Sequence, residues 1–153
     1  MLLRPATMED ADLLFLWRND PETRKNSHTT EEVPYDNHVA WLRSSLTNSR
    51  RRLLIAIADV PIGTVRYDWQ DQQNQAVELS WTIAPEHRGK GFGTIMVAEA
   101  VKDYHGNIMA EIKSSNAPSI AIARKNGFIP LSENGEVMRW IRYASKLNTE
   151  LGM

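Results

Sequence analysis

No cysteine occurs in the 153 residues, which removes disulfides, thiolate metal sites and any acyl intermediate on a protein thiol. Charge of one sign is equally scarce. The chain has 18 Lys and Arg against 19 Asp and Glu, a net charge of −1, and so offers no field to hold nucleic acid or an anionic membrane. No apolar run approaches a membrane span, and the opening MLLRPATMEDADLLFLW lacks a basic segment leading a long apolar one. A cytoplasmic location is therefore expected. The chain has no internal repeat or low-complexity tract, and its length fits one domain, 1–153, able to bury a sizeable core.

What is present concentrates between 77 and 93, VELSWTIAPEHRGKGFG. Val77, Leu79, Trp81 and Ile83 alternate with Glu78, Ser80 and Thr82, the period-two pattern of a strand. Pro85 stops the ladder because it has no N–H to donate. Arg88, Gly89, Lys90, Gly91, Phe92 and Gly93 then lead into TIMVAEAVKDY, whose Ile95, Met96, Ala98, Val101 and Tyr104 form a helical stripe. Free N–H groups and partial positive charge at a helix start, approached through glycines, suit a phosphate. The stretch proposes a pyrophosphate cradle beside a strand that holds a carboxylate. It is not a P-loop, which needs Gly, four residues, then Gly-Lys-Ser/Thr. Nor is it a dinucleotide fingerprint, since Gly89, Gly91 and Gly93 give G-x-G-x-G after a basic turn.

The remaining elements follow from periodicity and punctuation. A short apolar run over 2–6 precedes a helix that starts at Thr7 with Asp10 as a variant capping partner and ends near Asn19-Asp20-Pro21. A polar loop over 19–34 precedes a second helix from Tyr35 or Asp36 that gives way at Asn48-Ser49. Arg50, Arg51 and Arg52 read as a solvated turn. Strands follow at 53–58 and 63–69 around a turn at 59–63, and then a polar loop at 70–75. The helix after the cradle is expected to end at His105-Gly106, with Gly106 as a left-handed cap. Beyond a strand at 108–112, Asn116 caps a helix that Gly127 ends. A hairpin has strands at 129–131 and 137–143 around Ser132-Glu133-Asn134-Gly135, and the tail from Ala144 is loosely held.

Arg88, two residues, Gly91, one residue, Gly93, after a strand ending Trp81-Thr82-Ile83-Ala84-Pro85, closely resembles the acetyl-CoA-binding motif of the GNAT superfamily of N-acetyltransferases. Asn116, two residues, Ser119, then Lys125-Asn126-Gly127-Phe128 resembles the superfamily's N-x-x-S/A…G-F helix, in register with the first motif. The element order matches the family over essentially the whole chain. The resemblance implies an α/β, mixed and mostly antiparallel twisted sheet with a splayed parallel pair, flanked by four helices. It implies acetyl-CoA as cosubstrate and no metal. The pyrophosphate would lie on the loop of Arg88, Gly89, Lys90, Gly91, Phe92, Gly93 and Thr94, with the pantetheine arm along Trp81, Thr82 and Ile83 and contacts from Asn116 and Ser119. A small-molecule amine is the implied partner, and dimers are common in the family.

Direct transfer needs a base for the amine, donors for the oxyanion and an acid for the thiolate. Glu78, on the strand beside the thioester, is the candidate base, with a structural pairing to Arg66 or another strand residue as the alternative. Backbone N–H groups around Thr82 and Ile83 would serve the oxyanion. Many relatives place a Tyr four residues before the Gly of Gly-Phe, where this chain has Ala123. Tyr67, Tyr104 and Ser119 are the remaining side chains to consider, and the thiolate can also leave unassisted or take a proton from water. A catalytically silent CoA-binding module is the competing class.

Trp17-Arg18-Asn19-Asp20-Pro21 and His38-Val39-Ala40-Trp41-Leu42 resemble the W-R-N-x-P … H-x-x-W/F-L pattern of GNAT enzymes that acetylate the 4-amino group of a nucleotide-linked amino sugar in pseudaminic acid biosynthesis. Arg18 would take a phosphate through its planar fork, and Asn19 and His38 sugar hydroxyls. Trp17 and Trp41 are expected in the core at their helical phase. A peptide or ribosomal-protein N-terminus ranks second as acceptor, and an antibiotic or polyamine third.

Overall fold

The computed structural model describes residues 1–70 and 76–144. The expected loop beyond Gln70 and the tail beyond Ala144 lie outside the described residues. The strands are β1 (Leu2–Pro5), β2 (Arg51–Ala58), β3 (Val60–Trp69), β4 (Ala76–Ile83), β5 (Asn107–Lys113), β6 (Ile129–Asn134) and β7 (Val137–Arg142). The helices are α1 (Ala11–Asn19), α2 (Pro21–Lys25), α3 (Tyr35–Thr47), α4 (Phe92–Val101) and α5 (Ala117–Lys125). One seven-stranded sheet runs β1-β2-β3-β4-β5-β7-β6, antiparallel throughout except for β4 and β5.

Alternation along the strands divides the core between two faces. Leu53 and Ile55 of β2 join Ala11, Leu14 and Trp17 of α1 and Leu42 of α3. Their neighbours Leu54 and Ala56 join Val65, Leu79, Ala110, the α4 side chains Met96, Val97 and Ala100, and Ala123 of α5. A strand covered on both faces needs an unbroken apolar run, which 53–58 supplies. Each fully buried Leu, Ile or Val on these faces stabilises the fold by about 1.5–3 kcal/mol.

The feature that positions the site is the parallel pair. Ala76, Val77 and Glu78 face Asn107, Ile108 and Met109, and pairing stops there although both strands continue. Beyond Glu78, β4 stays in register with β3 as far as Ile83↔Gly63, while β5 stays with β7 as far as Lys113↔Val137. Each strand follows its outer neighbour, and a cleft opens between them. The crossover from β4 to β5 runs through α4, as a parallel connection requires, and the N-terminus of α4 comes to the cleft.

Several expected boundaries move. The loop at 19–34 contains α2, which begins with Pro21 and is capped by Asp20 accepting from Thr23 N at 3.0 Å. Asp10 does accept from Thr7 N, at 2.8 Å, but the first turn is 3₁₀ and α1 starts at Ala11. Arg51 and Arg52 belong to β2, where Arg51 Nε pairs with Asp68 at 2.6 Å. α4 ends at Val101, and Gly106 is not among the left-handed glycines. β6 runs on to Asn134, so the hairpin turns at Gly135-Glu136, with Gly135 at φ 65°.

Candidate active site

Gly91 caps α4 at φ 82°, a left-handed conformation that disfavours any residue with a Cβ. A Cβ built at Gly89 or Gly91 would meet no atom within 4 Å, so open space lies beside both. The N–H groups of the first helical turn, Phe92, Gly93 and Thr94, have no carbonyl a turn earlier to bond. This cradle opens into a cavity of about 780 Å³ that reaches along β4 to Glu78 and under α1, α2 and α3.

Trp81, Thr82, Ile83, Arg88, Gly89, Gly91, Phe92, Gly93, Thr94 and Asn116 all line this cavity, as do Glu78, Arg18 and His38. Trp81 lies against Phe128 at 6.0 Å, which ties the β4 wall to the residue after Gly127. Three of the sequence candidates are not on the wall. Lys90 points to solvent. Ser119 gives its backbone N–H to the Asn116 side chain at 3.3 Å, so Asn116 acts first as a helix cap. Asn19 has both ends of its amide engaged with Val33, donating to its carbonyl at 2.9 Å and accepting from its N–H at 2.8 Å. It closes the 20–33 segment and lies off the cavity wall. The Arg88 side chain, on the wall, is engaged by the start of α2, donating from Nη2 to Asp20 at 2.9 Å and to Thr23 Oγ1 at 2.8 Å.

Glu78 sits at the last position where β4 pairs with β5, where the cleft begins. Burial pushes its carboxyl above the usual range, and the nearby charges of Glu111 and Asp68 push the same way, against Arg66 and His28. The expected alternative partner is engaged elsewhere: Arg66 Nε donates to Asp68 at 2.8 Å. The hydrogen bond that Glu78 does receive comes from Gln70 Nε2 at 3.1 Å. Past Glu78, the main-chain groups on the β5-facing edge of β4 have no strand partner among the described residues.

None of Tyr67, Tyr104 and Ser119 lines the cavity. The Tyr67 hydroxyl donates to the Ala100 carbonyl at 2.7 Å inside the core, and Ala123 is fully buried. Trp17 is buried as expected, but Trp41 is 36 % exposed, stacked on His38 at 5.6 Å with Arg51 above it at 5.9 Å. His38 is 3 % exposed between Trp41 and Phe15, and burial, reinforced by the charge of Arg18, holds its pKa below the usual value.

Sequence reasoning missed Glu111 and His28. Both line the cavity, and His28 Nε2 meets Glu111 Oε2 at 3.1 Å. Lys113 Nζ donates to the Lys25 carbonyl at 2.9 Å alongside, so segment 25–29 is strapped to β5 across the mouth of the cleft. The signal for Glu111 was its phase: Ile108, Ala110 and Ile112 face the core, which places Glu111 on the opposite face beside the split.

With this geometry in view, residues 1–129 match the family described as acetyltransferase (GNAT) domain. The chain belongs to the GNAT acetyltransferase family. It is an acyltransferase, and its mixed seven-stranded sheet with one parallel pair is the GNAT fold. A curated relative, an uncharacterized N-acetyltransferase p20 of Bacillus licheniformis, is 27% identical over 140 residues, covering 84% of this chain and 78% of that protein. A spermidine N-acetyltransferase from Vibrio cholerae, solved with CoA and spermine, superposes with a TM-score of 0.81 at 20% identity, over 95% of this chain and 96% of the other. A ribosomal-protein-alanine N-acetyltransferase from Brucella melitensis gives 0.74 at 22% identity, over 94% and 99%. At these identities the solved structures speak for the GNAT fold and not for the acceptor.

Proposed function

We propose that this GNAT domain transfers an acetyl group from acetyl-CoA directly to a primary amine, with Glu78 as the base. The observation that carries this reading is the coincidence of three features in one cavity: the glycine-lined start of α4, the unpaired edge of β4, and a half-buried carboxyl without an arginine partner where the cleft begins. Gly89, Gly91 and the first-turn N–H groups of α4 suit a diphosphate, and the free edge of β4 suits an amide-bearing arm that pairs like a strand. Acetyl-CoA supplies the activated thioester carbonyl.

Glu78 receives the proton of the incoming ammonium at its carboxylate, and its raised pKa brings it closer to the working pH of a general base. The main-chain N–H of Ile83, on the edge of β4 that β3 does not use, would meet charge that develops on the carbonyl oxygen. No side chain is assigned as acid, because a thiolate with an ordinary pKa of about 8.5 leaves without one.

For the acceptor, the nucleotide-linked amino sugar expected from the N-terminal pattern keeps Arg18 and His38 on the wall but loses Asn19. The experiment is thiol release from acetyl-CoA across a panel of UDP-4-amino sugars, N-terminal peptides and polyamines, alongside the melting shift with acetyl-CoA. A melting shift with no turnover on any amine class would reduce the chain to a silent CoA-binding module.

A further inference from the structure

Three guanidinium groups lie on the cavity wall, and two of them have a carboxylate: Arg66 Nε meets Asp68 at 2.8 Å and Arg88 Nη2 meets Asp20 at 2.9 Å. Arg18 has none among the described residues. Its Nη2 donates to the Thr29 carbonyl at 3.0 Å, its Nη1 is buried without a partner, and Arg24 adds charge of the same sign. His38, whose pKa burial and then the charge of Arg18 lower, is 3 % exposed and leaves Nε2 without a partner among the described residues as well. Both nitrogens are shut off from water, so solvent does not compensate them. Arg18 as a whole is partly exposed, but its Nη1 is not, and a buried polar atom without a bond calls for an explanation.

We infer that Arg18, with His38 beside it, receives an oxyanion carried by the acceptor, a carboxylate or a phosphate, so that the acceptor is a zwitterion with its amine at Glu78 and its anion at Arg18. The inference rests on the acetyl-transfer reading. An oxyanion that takes the place of the Thr29 carbonyl, itself on the wall, receives both nitrogens of the Arg18 fork. The opposite orientation is excluded by charge, because Glu78 and Glu111 occupy the cleft and repel an anion there. The two subsites are neighbours: Thr29, held by Arg18, follows His28, held by Glu111. The acceptor therefore carries both an amine and an anion. This selects an amino-sugar phosphate or an amino acid over a polyamine.

The test uses acetyl-CoA and amines with one common reacting end: 4-aminobutylphosphonate, 4-aminobutyrate, butylamine and 1,4-diaminobutane. kcat/KM for the phosphonate or the carboxylate is expected at least about tenfold above butylamine, with the diamine lowest, and the order of the two anions tells phosphate from carboxylate. Arg18→Gln brings the anion-to-butylamine ratio close to one through KM rather than kcat, and Arg18→Lys restores part of it. Should Arg18→Gln fail to fold, His38→Phe keeps the stack on Trp41, removes Nε2 and lowers the ratio a few-fold. Butylamine or the diamine matching both anions, or a ratio unmoved in a folded variant, overturns the inference and leaves acetyl transfer standing. With no turnover on any amine, calorimetric titration of 4-aminobutylphosphonate decides: binding that Arg18→Gln weakens supports the subsite, and no binding overturns it. Loss of the acetyl-transfer reading shows separately, as no melting shift with acetyl-CoA.

Discussion

At the α4 end of the cavity the walls are main chain, with Gly89 and Gly91 at φ 74° and 82° and the first-turn amides of one helix. At the β5 end they are side chains, Glu78, Glu111, His28 and Arg18, brought from β4, β5, the segment after α2 and α1. Main chain can grip a ligand whatever the side chains are, because an amide has no identity to vary. Side chains discriminate, because each can be exchanged without disturbing the sheet. The difference predicts that variants at the two ends separate cofactor binding from turnover.

The largest effect is expected at Glu78. Glu78→Gln should lower turnover by about 10²–10⁴-fold, the usual contribution of a positioned base, while the melting shift produced by acetyl-CoA persists. In the wild type, activity rises with pH as Glu78 deprotonates through its raised pKa, and the Gln variant lacks that limb. A pH–rate profile of both proteins checks this, and an unaltered profile in the variant would remove Glu78 from the mechanism.

Next comes the opposite end. Gly91→Val forces a β-branched residue into the left-handed region, at about 1–2 kcal/mol, and fills open space beside the cradle. Acetyl-CoA should then give no melting shift. Retained binding would mean that the diphosphate lies elsewhere.

This contrast also governs what the sequence disclosed. The cradle was legible because its glycines and its helix are contiguous, so spacing along the chain is spacing in space. The sheet was legible from the period-two run at 77–83 and the unbroken apolar run at 53–58. The acceptor end was not, because Glu111 reaches His28 from 83 positions away in sequence and only the folded chain brings them together. The protein partners of Asn19 and Arg88 were hidden for a related reason. Their chemistry suits a ligand, yet the fold uses Asn19 to close its own segment and Arg88 to hold the cap of α2, and neither partner can be inferred without the path of the chain between them.

The joint between Arg88 and Asp20 tests whether the two ends act independently. Asp20 Oδ2 accepts from Thr23 N, Thr23 Oγ1 and Arg88 Nη2. Asp20→Ala removes the cap of α2 and strands the guanidinium, a loss of about 1–2 kcal/mol in thermal unfolding. Because Arg88 begins the cradle loop, KM for acetyl-CoA should rise a few-fold together with KM for the amine. A change confined to the amine would separate the ends completely.

The smallest effect is in stability, and it runs against activity. A carboxyl whose folded pKa is raised binds its proton more tightly in the native state than in the unfolded chain. At pH above that raised value the folded protein carries the full cost of an ionised, half-buried Glu78 beside Glu111 and Asp68. Below the ordinary carboxylate range it carries none. Glu78→Gln removes the titration and keeps the shape, and Gln70 can still pair with the amide oxygen. The variant should therefore melt about 2 °C above wild type at neutral pH, on the scale of a fraction of a kcal/mol for a domain of this size, and no higher in acid below the carboxylate range. A variant that is less stable at neutral pH would mean that the ionised Glu78 holds the cleft together, and that its environment was shaped for structure rather than for proton transfer.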